Sequence, residues 1–236
     1  MLNESTLSLL SHFRRQAWSV CGALLPGMVH NANNMCHVID MQIELLQSKI
    51  RNRPETPIQD QATKFERIAS GSRQLMGLLA ILGQRQTYVS EQDTQIESGE
   101  YLNWLTAFWQ SDLTFKHKTA PENTVKPGTP NLVLPPLLLT CTLEAILLQA
   151  LEGARNHEGG RLPFVFTATP WSHGAAFSLA VPASPGFTSR PTDTTDGLTL
   201  EAVPGLGWEP FTSHDGSTVT KGIRIPRQKT DLRGCA

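Results

Sequence analysis

The chain has 236 residues, 39% hydrophobic and 17% charged, with a formal net charge of −1. That length holds one large domain or two small ones, each able to bury a core. A charge so close to zero, with no basic excess, excludes a protein that tracks a nucleic-acid backbone and predicts no nucleic-acid partner.

Residues 5–52 carry helical periodicity almost unbroken, with Asn3 or Ser5 available as N-cap and Pro26 as the only proline. A proline removes one helical hydrogen bond and crowds the preceding turn, so the pattern predicts a bend about one turn before His30. The apolar stripe is read through Leu24, Met28, Asn31, Met35, Val38, Gln42 and Leu45. His30 lies about 200° from Met28 on a helical wheel and is expected to face solvent, with Asn34 on the same face one turn later. An exposed imidazole on a rigid helix can accept and pass on a phosphoryl group through a neutral ring nitrogen. The competing reading is an ordinary surface histidine. Residues 51–57, Arg-Asn-Arg-Pro-Glu-Thr-Pro, then break the helix, and a second periodic run follows through Ile58, Ala62, Phe65, Ile68, Ala69, Leu75, Met76, Leu79 and Leu82. Residues 1–95 are therefore predicted to form a long antiparallel helical hairpin. Helices of about 45 and 30 residues cannot bury both apolar stripes alone, so the hairpin is expected to dimerise into a four-helix bundle.

From residue 96 the composition changes character. Residues 98–113 predict an amphipathic helix (Tyr101, Leu102, Leu105, Phe108, Trp109, Leu113), and residues 120–136 a Pro/Gly-rich connection. Residues 137–155 are apolar on nearly every face and are expected to form a central helix. Strand-like runs follow at 162–168, 175–181 and 217–226, with a loose region rich in Thr, Asp, Gly and Pro before the last. Residues 96–236 are read as an α/β sandwich of one sheet and about three helices, giving an α+β chain overall.

Other features point to little chemistry. Cys21, Cys36, Cys141 and Cys235 are far apart with no CxxC pair, which suggests neither a zinc site nor a disulfide framework and fits a reducing cytoplasm. The apolar stretches at 22–29 and 132–139 are too short to cross a bilayer, and Met1 is not followed by a basic-then-apolar leader, so no membrane partner is expected. His37 follows His30 by two turns, too far to share an ion with it. His117 and Lys118 read as solvated surface. Trp18, Trp104, Trp109, Trp171 and Trp208 are scattered, as core packing would scatter them.

The order of elements, together with Leu25-Pro26-Gly27-Met28-Val29-His30-Asn31-Ala32-Asn33-Asn34 and the closing Ile223-Arg224-Ile225-Pro226, resembles a sensor histidine kinase core. The resemblance implies that the hairpin is the dimerisation and phosphoacceptor domain and the sandwich an ATP-binding domain. The residue after the phosphoacceptor His is normally Glu or Asp in that family, where it acts on the imidazole. Here it is Asn31, and an amide cannot take a proton at neutral pH. The position matching Asn34 often carries Thr or Asn, positioning a water that dephosphorylates a partner. Residues 147–154 align with the family's asparagine box, which leaves Gly153 where a metal-holding Asn belongs, so Mg²⁺ would lose a ligand. Pro182, in the segment 181–187, takes the place of the Asp that reads adenine. Gly197, Gly205 and Gly207 only faintly follow the glycine-rich lid and read as turn residues.

An exposed histidine with a decayed nucleotide site predicts an ATP-independent histidine phosphotransfer protein without a cofactor. His30 would be the phosphoacceptor, with Asn31, Asn33 and Asn34 around it, and response-regulator receiver domains would be the partners, docked near His30 with Arg14 and Arg15 close by. The alternative is a non-catalytic pseudokinase adaptor that binds and regulates a response regulator or a kinase, which Asn31 favours.

Overall fold

The computed structural model describes residues 4–227 other than 54, 56, 156, 173 and 184–194. Helix α1, Glu4–Asn52, runs 49 residues without interruption through Pro26. The proline deprives the Gly22 carbonyl of its helical donor, but Gly22 is exposed, so that carbonyl is open to solvent. After a 3-10 turn at Ile58–Gln61, helix α2 (Ala62–Tyr88) returns along α1. Gly71 against Ile39 and Arg85 against Ala17 set the antiparallel register.

The buried line of α1 comprises Leu10, Phe13, Gln16, Ala17, Val20, Leu24, Met28, Gln42 and Leu46. Val38 and Leu45, predicted to lie in it, are 40% and 46% exposed instead. Leu24, Asn31, Val38 and Leu45 are spaced by sevens, and in a straight helix such a series rotates by about 20° per repeat, away from the contact line. Leu46 takes the place assigned to Leu45.

The second half is built on a five-stranded sheet in the order β2-β4-β5-β7-β6. Its strands are β2 (Thr119–Val125), β4 (Leu162–Trp171), β5 (Gly174–Pro182), β6 (Glu209–Asp215) and β7 (Thr218–Pro226). Only the β2–β4 pairing is parallel. Strands β1 (Thr94–Ile96) and β3 (Leu132–Leu134) form a separate antiparallel pair. Alternation makes one sheet face apolar: Phe164, Phe166 and Ala168 on β4, and Val219, Ile223 and Ile225 on β7, are buried. Helices α3 (Ser98–Trp109), α4 (Leu113–Lys118), α5 (Pro136–Arg155) and α6 (Thr195–Ala202, followed by a 3-10 turn at Val203–Leu206) complete this half. The segment expected to be a Pro/Gly-rich connection thus contains β2 and β3. Pro121 is tolerated because β2 is an edge strand, where a missing N–H leaves no ladder bond unmade.

Helix α5 is long and apolar enough to cross a membrane by length and composition, contrary to the expectation that no apolar stretch is long enough. Yet 83% of its apolar window is buried inside the protein, as in the central helix of a core.

The hairpin and the sheet-bearing half share one hydrophobic cluster. Buried polar contacts cross the junction as well. Gln16 Nε2 donates to the Cys141 carbonyl at 2.9 Å, and Thr199 on α6 donates to Gln16 Oε1. With its proton committed there, Thr199 Oγ1 accepts from His12 Nε2 at 2.8 Å. Trp104 Nε1 donates to the Ile81 carbonyl at 3.0 Å and Thr140 Oγ1 to the Tyr88 carbonyl at 2.7 Å. At the centre Arg85 of α2 forms a two-point ion pair with Glu144 of α5, which is wholly buried. The same guanidinium donates to the Ala17 carbonyl and lies 4.6 Å from the Phe108 ring centroid.

Candidate functional site

His30 is exposed on the middle of α1. Asn34, one turn on, places Nδ2 at 3.1 Å from His30 Nε2. An amide N–H only donates, so Nε2 is the acceptor and the ring proton sits on Nδ1. The bond orients the imidazole and engages its single Nε2 lone pair, so attack on phosphorus requires the Asn34 amide to turn aside from that nitrogen. Asn33 is exposed beside them.

Asn31 is half-buried and turned toward the second half of the chain: its Oδ1 accepts from Lys116 Nζ of α4 at 3.0 Å. Several local features place Lys116 there. Asp112 caps α4 by accepting from the Phe115 N–H at 2.7 Å, and Thr119 closes it with a bond to the Phe115 carbonyl at 2.6 Å. Arg161 Nη2 donates to the Lys116 carbonyl at 2.8 Å. One turn before Asn31, Gly27 lets the residues linking α3 and α4 reach the α1 backbone, since a Cβ on Gly27 would stand 1.8 Å from the Ser111 carbonyl oxygen.

That contact makes a paired prediction. A glycine inside a helix normally costs about 0.5–1 kcal/mol relative to alanine. Gly77→Ala on α2, whose Cβ would meet nothing within 4 Å, is expected to raise the melting temperature by a few degrees. Gly27→Ala is expected to lower it, because overpacking against a backbone carbonyl costs about 1–3 kcal/mol. Thermal melts of the two variants give opposite signs if the α3–α4 junction is seated on α1.

Between α1, α2 and α4 lies a cleft of about 320 Å³, lined by Asn31, Asn34, Arg67, Ser70, Gln74 and Lys116 over a floor that includes Met35 and Gly71. Lys116 and Arg67 were not singled out from sequence. A basic residue gives no periodic signal, and Lys116 reaches Asn31 across 85 positions of chain.

Arg14, expected near the docking face, is sixteen residues from His30, about 24 Å along the helix. It forms an ion pair with Glu91 there, beside a cavity of about 530 Å³ that Trp18 and Arg85 also line. Gly153 lies half-buried in the last turn of α5, and Pro182 ends β5 opposite Thr218. Neither offers a side-chain donor or acceptor to a nucleotide or to Mg²⁺, so the described residues at these two positions do not fit that cofactor. Residues 184–187 of the segment aligned with the adenine-reading turn lie outside the described residues. Gly207 adopts φ 73° and ends the 3-10 turn, a turn role.

No protein-family profile and no curated protein matches the chain. Solved structures do. The histidine kinase domain of a blue-light activated histidine kinase from Erythrobacter litoralis is 14% identical, with 87% of this chain and 99% of that one covered and a TM-score of 0.48. A bacterial phosphotransferase is 15% identical over 86% of this chain and 95% of its own, with a TM-score of 0.42. The histidine kinase ThkA, solved in complex with the response regulator protein TrrA, is 16% identical over 91% of this chain and 64% of its own, with a TM-score of 0.44.

Proposed function

We propose that the chain is a histidine phosphotransfer protein of two-component signalling in the cytoplasm, exchanging a phosphoryl group between His30 and the aspartate of receiver domains without using ATP. The observation that carries this reading is the exposed His30 imidazole on the middle of α1, oriented by its bond to Asn34. Transfer from a receiver needs an accessible nucleophile and a docking surface, while the receiver brings its own Mg²⁺ and aspartate. Using ATP would need a nucleotide site and a domain able to carry the γ-phosphate to His30. Gly153 and Pro182 weaken the first requirement, and the buried junction through Arg85, Glu144 and Gln16 weakens the second.

The division into a hairpin over 1–95 and a degenerate sandwich over 96–236 belongs to the same proposal, as does a homodimer. Trp18, Leu25, Val29, Ile43 and Ile50 on α1 are exposed, Trp18 by 78%, and fall within about 60° of one another around the helix. Phe65, Met76 and Leu79 do the same on α2. Both sectors are offset in the same rotational sense from the faces where the helices meet. In an antiparallel pair that puts them on one side of the hairpin, where a second copy would bury them. His30 points away from that side.

A non-catalytic adaptor is the second reading, favoured by the engagement of Asn31 with Lys116, which leaves no carboxylate directly after the histidine. Incubating the pure protein with radiolabelled ATP, and separately with phosphorylated receiver domains from the same cell, tests both. Acid-labile label is expected from a receiver and none from ATP. Label from ATP contradicts the reading of the nucleotide site, and label from neither source favours the adaptor.

A further inference from the structure

We infer that the cleft between α1, α2 and α4 is a phosphoryl-binding site, in which Lys116 and Arg67 hold the oxygens of the group entering or leaving His30. The inference rests on the reading of His30 as phosphoacceptor and adds the residues that recognise the transferred group.

The lining carries two cations and no carboxylate. Lys116 and Arg67 take part in no ion pair among the described residues, in contrast to Arg14, Arg73, Arg85 and Arg224. Lys116 spends one of its three donors on a neutral amide, Asn31 Oδ1, so its charge is oriented and uncompensated. It is half-buried, where a charge acts through less water than at an open surface. Ser70, Gln74 and Asn34 add neutral donors around the same space. Asn34 joins the cleft to the nucleophile, because the side chain that lines it also bonds His30 Nε2. Two charged donors and several neutral ones are the chemistry that recognises a dianionic phosphate.

In the transfer, the Nε2 lone pair forms the N–P bond while the P–O bond to the aspartyl carboxyl breaks, and that electron pair leaves on the carboxylate. The Nδ1 proton stays on the ring, giving a phospho-imidazolium. Total charge is conserved between a neutral imidazole plus a dianionic acyl phosphate and the two monoanionic products. Once Nε2 is substituted it accepts no hydrogen bond, and the Asn34 amide is released to a phosphoryl oxygen. Lys116 comes from the second half of the chain, so the sandwich supplies part of the recognition even without a nucleotide of its own.

Titration with inorganic phosphate, followed through the side-chain amide resonances of Asn31, Asn34 and Gln74, tests the site without any phosphorylation step. Saturable shifts are expected in the wild type and in His30→Ala. Affinity is expected to fall about tenfold in Lys116→Met and in Arg67→Met, and to return in Lys116→Arg. No saturable shift in the wild type, or equal affinity in Lys116→Met, overturns the inference. Phosphoramidate, which phosphorylates histidine directly, separates it from the reading it rests on. Label on His30 with no phosphate binding at the cleft removes the cleft and leaves the phosphoacceptor. Saturable phosphate binding with His30 unlabelled supports the cleft and removes the phosphoacceptor.

Discussion

Replacing Arg85 with methionine is expected to lower stability by about 3–5 kcal/mol, and by more at pH 8 than at pH 5. The guanidinium is the counter-charge of Glu144, whose side chain is fully buried. In the wild-type protein, burial already pushes the Glu144 carboxyl above its ordinary value, against the opposing pull of Arg85. Without Arg85 that displacement grows. A carboxyl whose folded value lies above its unfolded one binds its proton more tightly in the folded state. Its contribution is therefore fully favourable below the unfolded value and is lost as pH rises through the folded one. The variant should lose stability steeply as pH rises from 5 to 8. Melting curves across that range measure the slope, and a deficit independent of pH contradicts the assignment. Adding Glu144→Leu is expected to recover much of the loss and to flatten the pH dependence, because a buried pair replaced as a unit leaves no orphaned charge.

Replacement of His30 by alanine is expected to reduce labelling by phosphorylated receivers on the order of a hundredfold or more, while moving stability by no more than about 0.5 kcal/mol. The side chain is exposed and its hydrogen bond is to the equally exposed Asn34. Loss of label with an unchanged melting curve separates a chemical role from a structural one. Full retention of label by the variant places the phosphoacceptor elsewhere, with exposed His37 the next residue to replace.

Helices α1, α2, α3 and α5 were legible because their period is strong, whereas the short α4 and α6 span too few turns to show one. Unbroken patterning located α1 to within a residue at each end, and sixteen buried positions on α5 correspond to its apolarity on nearly every face. The strands that pair centrally, β4, β5 and β7, were legible through their alternation. The edges were not. Strand β6 is exposed at nearly every position and β2 carries Pro121 and Glu122, so neither has an apolar face to announce it. Exposure of His30 and its shared face with Asn34 followed from 3.6-residue periodicity, which acts within one helix. Lys116, Arg67 and the Gly27–Ser111 approach depend on how separate elements meet. Nothing in a local window encodes that meeting, and the heptad series through Val38 and Leu45 shows how a small rotational drift misleads over several turns.

The contact between Gln16 and the Cys141 carbonyl, 125 positions apart, also bears on how the chain matures. A ribosome adding about 5–20 residues per second completes α1 several seconds or more before α5 emerges. During that interval Phe13, Val20 and Leu24 have no partner from the second half, although all three are buried in the finished fold. Closure over so long a loop makes folding slow, and the nascent first helix is a target for chaperones or for premature pairing with another nascent chain.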